Sequence, residues 1–287
     1  MGDAARSAPR VGVLTDSTAY LPADLVEEFG IEVVPLEVVM GGVAHPESDV
    51  SSSDLAAALK RWVPVSTSRP SPAAVLDGVT RLRERGADEV VVVHLSGEVS
   101  GTCAASRMAA RSSDVPVHVV DSRTLAMGLG YTVLAAARAA RDGADVDAVV
   151  RAAEETAAAT HVWFCVDTLE HLRRGGRIGA AQALIGSALA VKPILHIVDG
   201  RVQPLEKVRT ASRAVARLEE LAVGAASGGR ADVAVHHLDA ATAADALATR
   251  LQSALPASTL VVGEVGAVVG AHVGPGMLAV VVAPVLP

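Results

Sequence analysis

The feature that most constrains the fold is the segment Glu89–Leu95, whose sequence EVVVVHL is apolar at successive positions. Successive side chains of a strand point to opposite faces, so a strand with this sequence must be buried on both faces. Two more short apolar runs, Val11–Thr15 and Val115–Val120, lie in the same half of the chain, with helical patterns between them. Buried strands that alternate with helices indicate a parallel sheet covered on both faces. We therefore predict a Rossmann-like α/β domain over residues 10–160.

The pattern changes after residue 160. His161–Val166 reads as a strand, and Ile194–Val198 and Arg201–Val208 lie on either side of Asp199-Gly200. Apolar runs separated by Asp-Gly are typical of a β-hairpin with a tight turn. Three further strands and one helix are predicted in the last sixty residues: Val233–His237, Ala241–Ala254, Leu260–Val265 and Leu278–Ala283. This order predicts a second domain, over residues 161–287, of the α+β class with a mixed sheet.

Local signals place several boundaries in the first half. Ile31–Met40 reads as one buried strand that ends at Gly41-Gly42. Ser51–Asp54 resembles a capping box, which predicts that a helix begins there. Ser71-Pro72 is typical of the first residues of another helix, because proline is favoured in the first turn.

Composition restricts the ligand classes. Hydrophobic residues make up 51% of the 287 residues but aromatic residues only 2%, so a pocket would have mainly aliphatic walls. Few rings are available to stack on bases, and the net charge of −7 is opposite to that of a nucleic-acid-binding surface. These numbers argue against nucleic acid as a partner.

Other classes of site find no support in the sequence. The cysteines, Cys103 and Cys165, belong to no CxxC pair, and His236 and His237 would face opposite sides of a strand, so no metal site is expected. The first ten residues are polar and lack the apolar region of a signal peptide. No segment is long and apolar enough to cross a bilayer, and Ala180–Val198 is interrupted by polar residues. A cytoplasmic location is expected.

Small polar residues follow several of the predicted strands. In an open parallel sheet, ligands bind beyond the carboxyl ends of the strands. Each group alone is more often a helix cap or a turn. Together they would form a hydroxyl-lined rim, from Thr15-Asp16-Ser17-Thr18, Ser66-Thr67-Ser68, Ser96, Ser100-Gly101-Thr102 and Asp121-Ser122.

The segment Ser100-Gly101-Thr102 is the most informative of these groups. It follows the strongest strand and precedes a helix, so its backbone N–H groups would lie at a helix N-terminus and favour an anion. It is not a P-loop, because no GxxxxGK[ST] pattern occurs and no lysine is near. A carboxylate is the anion that fits it best.

Two further features allow a structural or a functional interpretation. His272 lies in the glycine-rich segment Gly270–Gly276, where it could donate to a carboxylate or bond to the backbone of a loop. Leu172–Ile178 contains three arginines and two glycines, which suits the end of a helix or an exposed surface that docks a partner or a phosphate. The residues alone leave both alternatives open.

Taken in order, these segments resemble the DegV family. The resemblance runs from about Val11 to Val280 and rests on short motifs that occur in the same order along the chain. The motifs are Thr15-Asp16-Ser17-Thr18, Val34-Pro35-Leu36, Thr67–Ser71, Leu95-Ser96 with Ser100-Gly101-Thr102, Val120-Asp121-Ser122, Val166–Leu169, Arg174–Ile178, Lys192–Leu195, Asp199-Gly200, Lys207-Val208-Arg209 and His272–Gly276.

The resemblance implies two α/β domains that hold a long-chain fatty acid in the interior. It also implies that the protein catalyses nothing itself but presents the acyl carboxylate to a separate ATP-dependent fatty acid kinase, for phospholipid synthesis. A transient contact with a membrane, but no transmembrane segment, would fit that role. The resemblance assigns carboxylate binding to Thr67, Ser100 and His272, with Ser68, Ser96 and Gly101 beside them, and docking of the kinase to Arg174, Arg177 and Arg209.

The chain departs from the family pattern at two places. Arg69 stands where members usually carry glutamine, which would make the rim of the pocket more cationic. Val43–Glu47 replaces a segment that usually contains Tyr-x-Asp, so the entrance loop would differ.

Other functions remain open. Asp16, Ser100 and His272 are the residue types of a hydrolytic triad, although Ser100 is not in a GxSxG elbow. The serine and aspartate rim would also suit a sensor of a small molecule, and the turn that contains Arg177 could by itself be a docking module.

Overall fold

The computed structural model describes residues 9–184, 192–226 and 229–285. Within these residues the strands form three sheets. The strands are β1 (Val11–Asp16), β2 (Glu32–Val34), β3 (Glu37–Met40), β4 (Val43–Pro46), β5 (Val65–Ser68), β6 (Glu89–His94), β7 (Val117–Asp121), β8 (His161–Cys165), β9 (Lys192–Val198), β10 (Arg201–Val208), β11 (Ala231–Leu238), β12 (Thr259–Glu264) and β13 (Met277–Pro284).

Helices connect most of these strands. They are α1 (Ala23–Phe29), α2 (Ser52–Lys60), α3 (Pro72–Glu84), α4 (Thr102–Ala110), α5 (Met127–Arg141), α6 (Val146–Ala159), α7 (Glu170–Arg174), α8 (Ala211–Ala226), α9 (Ala241–Ala254) and α10 (Ala267–Val273). Ser51 accepts a hydrogen bond from the Asp54 N–H at 3.0 Å, and Pro72 is the first residue of α3, as the capping signals predict. None of the described helices has the length and hydropathy that a membrane span requires.

The first sheet is parallel, with the strand order β2-β1-β6-β7. The four valines of β6 are fully buried, which confirms the prediction from the EVVVVHL segment. Helix α3 packs against β1, β2 and β6, while α5 packs against β1, β6 and also β13. The prediction of a parallel sheet covered by helices is therefore confirmed.

The largest sheet is mixed, with the order β10-β9-β8-β13-β11-β12. Strands β9 and β10 pair antiparallel, and the turn residues Asp199 and Gly200 have φ angles of 51° and 78°. Positive φ at both central positions is the signature of the type I′ turn that the Asp-Gly sequence predicts. All strands of this sheet follow residue 160, and the boundary between domains at that residue stays a prediction. Of the apolar stretch Ala180–Val198, residues 185–191 lie outside the described part.

The prediction of one strand over Ile31–Met40 is wrong. The segment divides at Pro35 into β2, which joins the parallel sheet, and β3, which pairs with β4 and β5 in a third, antiparallel sheet. Proline has no N–H to donate to a ladder, so a strand that continued through Pro35 would lose a hydrogen bond. The third sheet places Thr67 and Ser68 on a strand, β5, and not on a loop.

Candidate functional site

A cavity of about 580 Å³ lies where the three sheets meet. This volume is within the range of sites that hold small molecules. Its walls come from the β5 end of the third sheet, from the loop that follows β6, from strands of the large sheet and from α10. Most of the apolar lining is aliphatic, as the composition predicts: Leu36, Leu95, Val99, Leu125, Val162, Leu172, Ile197, Val202, Val265, Val268, Val269, Val273, Ala279 and Val281.

One end of the cavity is polar. Thr67 Oγ1, on β5, and His272 Nε2, in the last turn of α10, are 2.9 Å apart and share a hydrogen bond. His272 therefore lies on a short helix, whereas the sequence analysis placed it in a glycine-rich loop. Four of the other residues predicted for the site, Ser68, Ser100, Gly101 and Arg177, line the same cavity.

His272 is an uncharged group in this setting. Burial and, to a smaller extent, the nearby Arg177 guanidinium together lower the pKa of its imidazole from the usual 6.5 to about 4. The Nδ1 atom is buried and has no hydrogen-bond partner among the described residues. Gly175 allows the ring to lie there, because a Cβ at that position would be only 2.0 Å from Nδ1.

The loop before α4 supplies hydroxyl and backbone groups at the same end. Ser100 Oγ and Thr102 Oγ1 are 2.8 Å apart, and the Thr102 N–H donates to Ser100 Oγ at 3.3 Å. Helix α4 begins after Gly101, which has no side chain to cap the helix. The first N–H groups of a helix lack partners within the helix and favour negative charge.

Ser96 has a different position from the other predicted site residues. It is fully buried and is not among the residues that line the cavity. Its hydroxyl donates to the Gly200 carbonyl at 2.8 Å, and a Cβ at Gly200 would lie 2.3 Å from Ser96 Oγ. Ser96 thus attaches the β9–β10 turn to the end of β6.

The three arginines of the predicted docking surface separate into two groups. Arg177 is half-buried and lines the cavity, where its Nε donates to Val99 O at 3.0 Å and its Nη1 to Gly175 O at 2.6 Å. Arg174 is exposed, pairs with Glu170 at 2.7 Å and lies over the Trp62 ring at 4.6 Å. Arg209 is exposed just after β10. Of these three arginines, Arg177 alone lines the cavity.

The triad of the hydrolase alternative is not assembled in the structure. Asp16 is fully buried and accepts hydrogen bonds from His94 Nδ1 at 2.8 Å and from the Leu95 N–H at 3.1 Å. His94 Nε2 is in turn 2.6 Å from Ser106 Oγ, so Asp16 belongs to an interior network and does not orient His272. Ser100 bonds to Thr102 and not to His272. These three side chains do not form the hydrogen-bond chain that a triad requires.

Glu47 is a supporting residue that the sequence analysis missed. It is buried, its Oε1 accepts from the Val268 N–H at 2.8 Å and from the Tyr20 hydroxyl at 3.0 Å, and its other oxygen accepts from Ser17. Burial raises the pKa of its carboxyl. Glu47 thus caps α10, the helix that carries His272. The segment Val43–Glu47, expected at the entrance, does not line the cavity.

His236 lines the apolar part of the cavity. Its Nε2 accepts from the Met127 N–H and its Nδ1 lies near the Gly263 carbonyl, both at 3.2 Å. Burial lowers its pKa to about 4, so the wall presents an uncharged ring. The described residues contain no group of three or more His, Cys, Asp or Glu side chains that could hold a metal ion.

The cysteines do not offer a reactive thiol near the site. Both are free and buried, and burial raises the pKa of Cys103 to about 12 and that of Cys165 to about 11. A thiol is a nucleophile only as the thiolate, so neither group is activated.

Comparison with known proteins gives consistent matches over nearly the whole chain. The family model described as an uncharacterised protein of the DegV family matches residues 10–285. A DegV domain-containing protein of Streptomyces coelicolor is 56% identical over 95% of this chain and 98% of its own length. A DegV domain-containing protein of Mycobacterium tuberculosis is 38% identical over 95% of this chain and 96% of its own length.

Solved structures also match over nearly the whole chain. A DegV family protein of Thermus thermophilus, described by its fatty acid binding, is 33% identical, with a TM-score of 0.90 over 96% of this chain and all of its own. A Bacillus subtilis DegV, described as a fatty acid binding protein, is 31% identical, with a TM-score of 0.89 over 97% of this chain and all of its own.

Proposed function

The chain belongs to the DegV family, and from that premise we propose that it binds a long-chain fatty acid, with the acyl tail in the aliphatic cavity and the carboxylate at Thr67, Ser100 and His272. The observation that carries this proposal is the distribution of polar and apolar groups in the cavity. The cavity has a volume of about 580 Å³, mostly aliphatic walls and hydrogen-bonding groups at one end. An amphiphile with one polar end fits that arrangement. Relatives at 31% and 33% identity are described as binding fatty acids.

The tail supplies most of the binding free energy. Burial of each methylene contributes about 0.8 kcal/mol, so about fourteen methylenes contribute roughly 11 kcal/mol before the cost of association is subtracted. That cost is at least several kcal/mol. The polar end therefore determines which way the molecule enters, and the aliphatic walls determine how tightly it is held.

The polar end can satisfy a carboxylate. A buried carboxylate without partners is costly, and hydroxyls with helix N–H groups lower that cost. Thr67 and Ser100 can donate through their hydroxyls, Gly101 and Ser68 lie beside them, and Arg177 supplies a nearby positive charge. His272, which is neutral, can donate from Nε2 once its hydrogen bond with Thr67 rearranges.

We further propose that the protein is not itself an enzyme and that it presents the carboxylate to a separate ATP-dependent kinase in the cytoplasm. Arg69, which is exposed, lines the polar end, so a carboxylate bound there would lie near solvent and within reach of a partner. We propose that the exposed side chains of Arg174 and Arg209 contact the kinase when it docks. The acyl phosphate formed would serve phospholipid synthesis.

Native mass spectrometry of the protein as expressed tests the first proposal. The expected result is an added mass equal to that of a fatty acid, which is lost on delipidation and regained with palmitate. A delipidated protein that takes up neither palmitate nor oleate would refute it.

The role of the partner is tested separately. With a fatty acid kinase and ATP, Arg209→Ala should slow acyl phosphate formation while the retained lipid mass stays unchanged. The matched control is Arg230→Ala, another exposed arginine in the same half of the chain. Loss of bound lipid in Arg209→Ala would instead place that arginine in the binding site.

A further inference from the structure

Two arginines, Arg69 and Arg177, line the polar end of the cavity beside the loop that contains Ser100. Arg177 donates to the Val99 carbonyl, one residue before Ser100. Arg69 lies against the backbone one residue after it, because a Cβ at Gly101 would be 2.7 Å from Arg69 Nη1 and 3.2 Å from its Cδ. Both guanidinium groups therefore lie beside the loop that leads into α4.

Among the described residues, neither guanidinium is paired with a carboxylate. The hydrogen bonds of the Arg177 side chain go to backbone carbonyls, and Arg69 has no ion pair or side-chain hydrogen bond within residues 9–184, 192–226 and 229–285. By contrast, Arg81 and Arg85 on α3 share Glu32. The described cavity wall contains one acidic side chain, Glu37, which is exposed, so water screens its charge.

A carboxylate does not use all of these groups. It has one negative charge and two oxygens, for which Thr67, Ser100 and His272 already offer partners, with the Arg177 charge nearby. With a carboxylate bound, Arg69 would be a second positive charge with no second negative charge on the ligand to balance it. A phosphate monoester has a charge of about −1.5 to −2 at pH 7 and three acceptor oxygens. Guanidinium groups match phosphate oxygens well because they can donate two parallel hydrogen bonds.

We propose that the polar end of the cavity is built for a dianionic, phosphate-type headgroup on an alkyl or acyl chain, and that Arg69 is the residue that favours this head over a carboxylate. The proposal rests on the proposed function, since the tail occupies the same cavity. Arg177 would stabilise either a carboxylate or a phosphate headgroup, whereas Arg69 would contribute mainly to binding of the phosphate headgroup.

Competitive binding with chain-matched probes tests the proposal. Palmitate, hexadecyl phosphate and inorganic phosphate are titrated into delipidated protein at fixed ionic strength, with displacement of a fluorescent fatty acid as the readout. We expect hexadecyl phosphate to bind more tightly than palmitate and inorganic phosphate to displace nothing. In Arg69→Gln the affinity for hexadecyl phosphate should fall about tenfold or more, as for loss of one charge-assisted hydrogen bond, and that for palmitate less than about threefold.

Arg61→Gln is the matched control, because Arg61 is exposed and nearby in sequence but does not line the cavity. It should leave both affinities unchanged. Equal losses for palmitate and hexadecyl phosphate in Arg69→Gln, or no loss for either, would overturn the inference and leave fatty acid binding intact. Displacement by inorganic phosphate would also overturn it, since the tail would then be unnecessary. Failure of both amphiphiles to bind the native protein would instead refute the proposed function.

Discussion

Replacement of Thr67 by valine tests the polar end most directly. Valine has nearly the shape of threonine and lacks the hydroxyl, so the change removes one hydrogen-bonding atom from β5 with little change in volume. In the native protein Thr67 Oγ1 and His272 Nε2 are 2.9 Å apart, and His272 Nδ1 already has no partner among the described residues. In Thr67→Val the imidazole would therefore have no hydrogen bond from either nitrogen within that part of the chain.

The size of the effect follows from these contacts. A hydrogen bond from a neutral donor to a charged group contributes about 1.5–3 kcal/mol, and a ligand carboxylate would lose this contact. The expected decrease in affinity is therefore about tenfold to a hundredfold. The tail is untouched, so the decrease should be similar for laurate and palmitate, although palmitate itself should bind more tightly by about 0.8 kcal/mol for each additional methylene.

Isothermal titration of delipidated protein with both fatty acids measures these quantities. Thr67→Ser is the matched control, because it keeps the hydroxyl and should retain most of the affinity. Native affinity in Thr67→Val would refute the assignment of the carboxylate to this end. A loss that grows with chain length would also contradict it, since the hydroxyl would then act on the tail.

Three further predictions concern the groups that hold the site together. Burial is the main reason that the pKa values of His236 and His272 are lowered to about 4 from the usual 6.5. Between pH 4 and pH 6.5 the unfolded chain therefore binds protons that the folded chain does not bind. The free energy of unfolding, measured by urea denaturation, should fall as the pH drops from 6.5 to 4. Gly175→Ala should displace the His272 ring, because the new Cβ would lie 2.0 Å from Nδ1, and should weaken palmitate binding at least tenfold by titration. Glu47→Ala removes three hydrogen bonds, one of them to the first turn of α10, and should lower the free energy of unfolding by about 2–4 kcal/mol, measured by chemical denaturation.

Each of these has a control. For the pH series, His272→Gln should make the dependence less steep between pH 4 and 6.5, and an unchanged slope would contradict the assignment. Gly224→Ala, in α8, has open space around the new Cβ and should not affect binding. Asp49→Ala, an exposed residue two positions after Glu47, should change stability little, and an equal loss in both variants would contradict the capping role.

Features that depend on residues close together in the chain could be predicted from the sequence, and features that depend on distant residues could not. Strands β1, β6 and β7 and the hairpin at Asp199-Gly200 could be predicted because their signals are local: runs of apolar residues and a turn that requires positive φ. The aliphatic character of the cavity followed from composition. Most of the polar residues proposed for the site, including Thr67, Ser100 and Gly101, line that cavity.

The sequence could not predict which residues lie on which side of the cavity. Thr67 and His272 are 205 residues apart, and their contact depends on how β5 packs against α10. The direction of Arg177 depends on the Val99 and Gly175 carbonyls, so the sequence did not show that this proposed docking residue also lines the cavity. Asp16 resembled a triad member only until the fold placed it beside His94.

The sequence by itself therefore determined most of the elements, the class of fold and the aliphatic character of the cavity wall. The tertiary structure alone decided the division of Ile31–Met40 between two sheets at Pro35, the capping of α10 by Glu47 and the approach of Arg69 to Gly101. The reason is physical. Backbone preferences and hydrophobic patterns act between residues close in the chain, whereas the site is made of contacts whose distances are set by the packing of sheets and helices.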